Sequence, residues 1–220
     1  MWEPQWQAFT EGRRAIRCDL RGFGESPLPP GEFNNSADVH RLLDELEVER
    51  ATVVGASFGG RVALELAATW PRRVERLILL CAAWEGIEPD DELRSFGDEE
   101  ECLLEAGDID GAVELNLRTW LGPEVSAAHR SLVAEMQRLA FELQLEAGDA
   151  AAPQFNDVDP ATIDAPTLVV SGARDLTHFR EVAGALASGI PDAEHRELAW
   201  AGHLPSLERP DLIQNLVLAY

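Results

Sequence analysis

Residues 55–59 read Gly-Ala-Ser-Phe-Gly, a spacing that can present a serine hydroxyl as a nucleophile. A β-branched run, Thr52-Val53-Val54, precedes it, and an Ala- and Leu-rich helical stretch from Arg61 to Trp70 follows. Strand, Gly-x-Ser-x-Gly, helix is the context in which a sharp turn exposes a serine at the end of a strand. Such a turn holds Ser57 at an unfavourable backbone angle, and a glycine on each side lets neighbouring backbone come close. The helix N-terminus then faces the hydroxyl and any oxyanion formed beside it. A Gly-rich turn with an incidental serine is the plain alternative, so other residues must decide.

Serine attacks a carbonyl only when a base removes its proton, and that base must be oriented by a third group. Asp175 follows the apolar run 167–172, and His203 follows the weaker run 194–198. In a parallel sheet the C-terminal strand ends share one edge, so three loops distant in sequence converge there. His203 is the candidate base, taking the Ser57 proton and returning it to the leaving group. Asp175 is the candidate acid, accepting from the other ring nitrogen. Taken singly, an Asp after a strand is usually a turn or helix cap, and a His beside Gly is usually a surface residue. The three together, in the order Ser, Asp, His and each at a strand end, favour a triad. Glu85, just after the run 74–81, is the other candidate for the acid. His40 and His129 fall in predicted helices, His178 near the start of one and His195 within a strand.

The elements that must hold these residues alternate along the chain. Residues 2–11 read as a short amphipathic helix, 14–19 as a strand and 20–31 as a Gly/Pro-rich loop. Asn35 or Ser36 is a plausible cap for a helix carrying Val39, Leu42, Leu43 and Leu46. The strand at 52–54, the elbow and its helix come next, closed by Pro71, and 74–81 is a strand covered on both faces. From Trp84 to about Asp159 the chain is acidic and helical, with no good strand. Asp108 or Asp110 should cap a helix bearing Val113, Leu117, Trp120 and Leu121. A longer helix over 125–145 should bury Leu132, Met136, Leu139 and Leu143. Alternation resumes with the strand 167–172, a helix over 179–188 and the strand 194–198. A last helix from Pro210 should bury Leu212, Ile213, Leu216 and Val217. The expected fold is α/β: a mostly parallel sheet with helices on both faces, its core at 1–83 and 160–220 and a helical cap inserted at 84–159.

The stretches 19–26, 54–60, 71–78, 165–175 and 201–203 together resemble the α/β-hydrolase superfamily, and most of all its small bacterial members with a helical cap. Those include esterases and enol-lactonases of the 3-oxoadipate pathway type. The resemblance spans nearly the whole chain except the cap. It implies Ser57 as nucleophile, Asp175 as acid, His203 as base and the backbone N–H of Phe58 as one oxyanion donor, with a small ester or lactone as substrate and no metal or organic cofactor. Trp120 is carried as a candidate substrate contact, against the commoner role of core packing. Serine rather than aspartate at the elbow counts against dehalogenase and epoxide hydrolase chemistry, whereas cofactor-free haloperoxidases share the triad. The superfamily normally begins with strands that this sequence lacks, one leading into a His-Gly-type loop that supplies the second oxyanion N–H. Losing a central strand forfeits burial on the order of 10 kcal/mol, comparable to the stability of a domain. A working polypeptide longer than these residues is therefore expected, and a non-catalytic or ligand-binding relative is the alternative.

Composition narrows the partners. The 220 residues carry a formal net charge of -22 and no lysine, so nucleic acid and anionic membranes would be repelled. Arginine in place of every lysine fits a GC-rich genome, and an acidic surface also fits adaptation to high salt. No apolar run is long enough to span a bilayer, and the first residues lack the basic start and apolar stretch of a signal peptide. Cys18, Cys81 and Cys102 read as reduced, mostly buried thiols of a cytoplasmic protein. No Cys/His cluster has metal-ligand spacing, and oligomeric state leaves no mark on the sequence.

Overall fold

The computed structural model describes all 220 residues, apart from the side chain of Asp149. Its elements run α1 (Glu3–Thr10), β1 (Gly31–Phe33), α2 (Asn35–Glu45), β2 (Ala51–Ala56), α3 (Phe58–Thr69), β3 (Val74–Leu80), α4 (Asp91–Glu105), α5 (Ile109–Trp120), α6 (Ala127–Ala147), β4 (Ala151–Pro153), β5 (Thr167–Gly172), α7 (Thr177–Gly189), β6 (Ala193–Leu198), α8 (Pro205–Glu208) and α9 (Pro210–Ala219). Strands β2, β3, β5 and β6 form a parallel sheet in that order.

Both faces of this sheet are covered, which explains the unbroken apolar run of β3. Leu77 and Leu79 pack with Leu64, Leu66, Val182 and Leu186, from α3 and α7. Their neighbours Ile78 and Leu80 point the other way, toward Ile213 of α9 and Trp2. All four β3 residues are fully buried, each contributing about 1.5–3 kcal/mol of burial. The helices between β3 and β5 have a cluster of their own: Ala112, Val113 and Leu117 from α5 with Val133 and Phe141 from α6. Leu207 of α8 joins that cluster, so the segment just after His203 packs against the helical insert.

Helix starts follow local chemistry. Asn34, Asp90, Asp108 and Ser126 each accept a backbone N–H of the first turn, worth about 1 kcal/mol apiece. The first of these lies one residue before the expected cap. Asp108 rather than Asp110 caps α5.

Several expectations are corrected. Residues 14–19 form no strand. Strand propensity is realised only against a partner edge, and these residues do not pair with β2, which lies at the margin of the sheet. The insert does hold one short strand, β4, paired in parallel with β1 from Gly31↔Ala151 to Phe33↔Pro153. Three residues rich in alanine carry no periodic signal. On helix α6 the expected Leu132 and Met136 do pack against the insert's core, but Val133, Ala140 and Phe141 are the buried residues and Leu139 is 40% exposed. Leu212 of α9 is likewise exposed. Of the cysteines only Cys81 is buried; Cys18 and Cys102 are exposed, and all three are free thiols. Among the described residues no helix is long and apolar enough to cross a membrane.

Candidate active site

Ser57 follows β2 with φ +50° and ψ -121°, a left-handed conformation that L-residues avoid. The turn is held by its surroundings. Ser57 N–H donates to the Leu80 carbonyl at 3.0 Å, and the Ser57 carbonyl accepts from Gly60 at 2.8 Å and Ala83 at 3.0 Å. The elbow is thus stitched to the end of β3. Phe58 opens α3, so its N–H has no carbonyl one turn earlier in the helix and is free to serve an incoming oxyanion.

The loops after β5 and β6 bring the other two residues to the same place. His203 Nε2 lies 2.8 Å from Ser57 Oγ, and His203 Nδ1 lies 2.8 Å from Asp175 Oδ2. The second Asp175 oxygen accepts the Leu176 N–H at 2.8 Å. His203 and Asp175 are buried, whereas Ser57 is half-buried and approachable. With Nδ1–H donating to the carboxylate, Nε2 is left as acceptor for the hydroxyl proton, the arrangement a general base needs. Backbone bonds fix the two loops to each other: Arg174 N–H donates to Ala201 O at 2.9 Å, and Ala173 N–H to Leu198 O at 3.0 Å.

Aromatic side chains flank the imidazole. The Trp120 ring is centred 4.6 Å from His203 and the Phe179 ring 4.2 Å from it. Trp120 also accepts the His203 N–H through its carbonyl at 3.1 Å, so this residue from the insert touches the candidate base by both ring and backbone. On the serine side Phe58 contacts Phe23 and Phe155, with ring centroids 5.9 and 6.2 Å away. Glu85 stands apart from His203: it pairs with Arg61 at 3.2 Å, whose guanidinium lies over Phe155.

Two residues of this neighbourhood carried no sequence signal for it. Cys81, just after β3, has φ +47° and its thiol sits 3.7 Å from the Gly202 carbonyl. Burial, reinforced by the Asp175 charge, pushes that thiol well above its ordinary range. Glu208 is buried five residues beyond His203, with no cue in its surroundings beyond an approaching Pro210. Among the described residues one group of metal-ligating type occurs: atoms of Cys81, Asp175 and His203 lie within 4.8 Å of one another. Two of those residues already hold each other by hydrogen bond, so an ion there would displace the His203–Asp175 contact.

Residues 1–213 match the family model described as the alpha/beta hydrolase family. A RutD protein of Variovorax paradoxus, whose name assigns it provisionally to carbamate hydrolysis, is 30% identical over all of this chain and 85% of its own length. The crystal structure of a hydrolase from Pseudomonas aeruginosa superimposes with a TM-score of 0.80 at 32% identity, covering all of this chain and 83% of that one. The enol-lactonase from Burkholderia xenovorans gives a TM-score of 0.76 at 26% identity over 99% of this chain and 84% of that one.

Proposed function

The chain belongs to the alpha/beta hydrolase family and is a hydrolase, and from that premise we propose that it cleaves a small carboxylic ester or lactone through an acyl-enzyme. The observation that carries this reading is the unbroken chain from Ser57 Oγ to His203 Nε2 and from His203 Nδ1 to Asp175, 2.8 Å at each link. In the first step His203 takes the hydroxyl proton as Ser57 Oγ bonds to the carbonyl carbon. The negative oxygen so formed faces the Phe58 N–H. Collapse expels the alcohol, which receives the proton from His203 and leaves the acyl group on Ser57. A water molecule, deprotonated by the same imidazole, then adds to the acyl carbonyl, and collapse releases the acid as Ser57 Oγ takes the proton back from His203. Asp175 holds the productive tautomer and stabilises the imidazolium.

Residues 84–159 act as a cap over this chemistry, and Trp120 is its contact with substrate. Trp120 and Phe179 beside the imidazole favour an apolar acyl or leaving group. The enol-lactonase and the RutD protein are both named for bonds whose carbonyl carbon invites the same attack. The acidic surface and three unpaired thiols suit a cytoplasmic enzyme acting on small molecules.

Replacing Ser57 by alanine is expected to abolish turnover of a p-nitrophenyl ester, and a fluorophosphonate is expected to label Ser57 in the wild type alone. Equal hydrolysis by the two proteins would remove the proposal. Tight ligand binding without fluorophosphonate labelling would favour a binding protein instead.

A further inference from the structure

Glu65 and Glu208 are the buried glutamates of the chain. Glu65 has ordinary polar company in Asn34, Ser36 and Arg61. Glu208 is different, because its partners are backbone N–H groups. Gly202 N–H donates to both of its oxygens, at 2.9 and 3.2 Å, and the N–H groups of Gly122 and Leu204 stand near enough to favour its ionised form. The adjacent Arg209 turns away to Glu124. Burial pushes the Glu208 carboxyl above the usual carboxylate range, and the three N–H groups pull it back toward ionisation.

These three donors are not scattered. Gly202 and Leu204 bracket His203. Gly122 stands two residues beyond Trp120, whose carbonyl accepts the His203 N–H and whose ring lies against the imidazole. The backbones meet closely: a Cβ on Gly202 would fall 2.7 Å from Gly122 N, and one on Gly122 would fall 2.0 Å from Glu208 Oε2. One carboxylate therefore ties both flanks of the candidate base to the end of a cap helix. An ionised group without a counter-cation is unfavourable in such a place unless it is hydrogen-bonded, and a glutamine amide would offer one accepting oxygen where Glu208 offers two to the Gly202 N–H.

We propose that Glu208 is a positioning residue for His203, setting the height and plane of the imidazole relative to Ser57 and coupling that geometry to the seat of the helical insert. This rests on the hydrolytic reading given above. The titratable groups facing this region are Asp175, from the loop after β5, and Cys81, from the end of β3, together with His203 itself. Glu208 and Asp175 are the carboxyl groups of the set.

The test compares wild type with Glu208→Gln and Glu208→Asp. Active sites are counted by fluorophosphonate titration, so a partly folded variant does not imitate a slow one. Glu208→Gln is expected to lower kcat per titrated site by about ten- to a hundredfold through misplacement of the base, with KM for a small p-nitrophenyl ester moving less than about twofold. Removing the negative charge should also move the acid limb of kcat/KM to lower pH. Glu208→Asp, which keeps the charge, should retain the limb and recover part of kcat. Nuclear magnetic resonance titration of the His203 ring supplies a readout that needs no turnover, and the same downward shift is expected there. Normal kcat per site with an unmoved limb and an unmoved ring titration, whatever happens to Tm, would overturn the proposal. A ring shift between wild type and Glu208→Gln, in a protein whose wild type neither hydrolyses nor is labelled, would sink the hydrolytic reading while supporting the positioning of His203.

Discussion

Ser57 and Cys81 share a feature unusual for their residue types: both carry a positive φ, and they stand at the ends of adjacent strands. Each left-handed residue costs on the order of 1–2 kcal/mol, and the strain persists because the surroundings over-determine it. At Ser57 the result is a hydroxyl aimed out of the sheet edge toward His203. At Cys81 it is a buried thiol turned inward, 3.7 Å from the Gly202 carbonyl. The thiols should therefore respond in a definite order to a soluble disulfide reagent. Cys102 is exposed and should react first. Cys18 should follow more slowly and gain rate only at higher pH: the residue is exposed as a whole, but its thiol is partly desolvated, and this together with the Asp19 charge raises it. Cys81 should react only on unfolding, since its thiol is raised further still and the thiolate is the reactive form. Mass spectrometry of partly modified protein gives the order directly; early loss of Cys81 would contradict the packing around Asp175.

At the scale of elements, the elbow reads differently in space than in sequence. The motif marks glycines on both sides of Ser57, yet a Cβ at Gly59 would meet nothing within 4 Å, whereas one at Gly60 would lie 2.5 Å from the Ala82 Cβ. Within the motif the close approach falls at Gly55, where a Cβ would lie 2.4 Å from the Gly59 carbonyl oxygen, and a second occurs one residue beyond the motif at Gly60, where α3 crosses the end of β3. Gly60→Ala is expected to lower stability by about 1–3 kcal/mol through overpacking. Gly59→Ala should leave Tm unchanged or raise it, because alanine is favoured over glycine in a helix by roughly 1 kcal/mol. Thermal unfolding of the two variants separates the cases. Strands β2, β3, β5 and β6 and the helix that follows the elbow were legible because apolar run, turn residues and helical periodicity agree in each. Residues 14–19, β1 and β4 were not, because pairing in a sheet belongs to two segments and a sequence displays them one at a time. The exposure of Leu139 on α6 was hidden for a similar reason: Leu139 and Phe141 are equally apolar, and only the neighbouring helix selects which is buried.

At the scale of the whole molecule, charge dominates. Ion pairs such as Arg118–Glu99, Arg130–Glu114 and Arg196–Glu194 are all well exposed, so each is worth about 0–1 kcal/mol. They cannot offset the self-repulsion of a net charge of -22. Salt screens that repulsion over a distance of about 10 Å at 0.1 M. Raising sodium chloride from about 0.05 to about 1 M at pH 7 is expected to lift Tm by several degrees, on the scale of roughly 2–4 °C per kcal/mol for a domain of this size. A rise many times larger would mark adaptation to high salt, and a flat trace would dismiss it.

By itself the sequence determined the alternation of elements, the strand-end positions of Ser57, Asp175 and His203, and membership of a fold that brings such positions to one edge. These are local properties: a turn, a periodicity and an order along the chain each leave their imprint on neighbouring residues. The tertiary structure alone decided that Asp175 rather than Glu85 meets His203, that the ring and carbonyl of Trp120 both lie against the imidazole, and that Glu208 gathers N–H groups from both sides of it. Those contacts join segments separated by tens of residues, and their energy depends on distance and burial, quantities that exist only once the chain has folded.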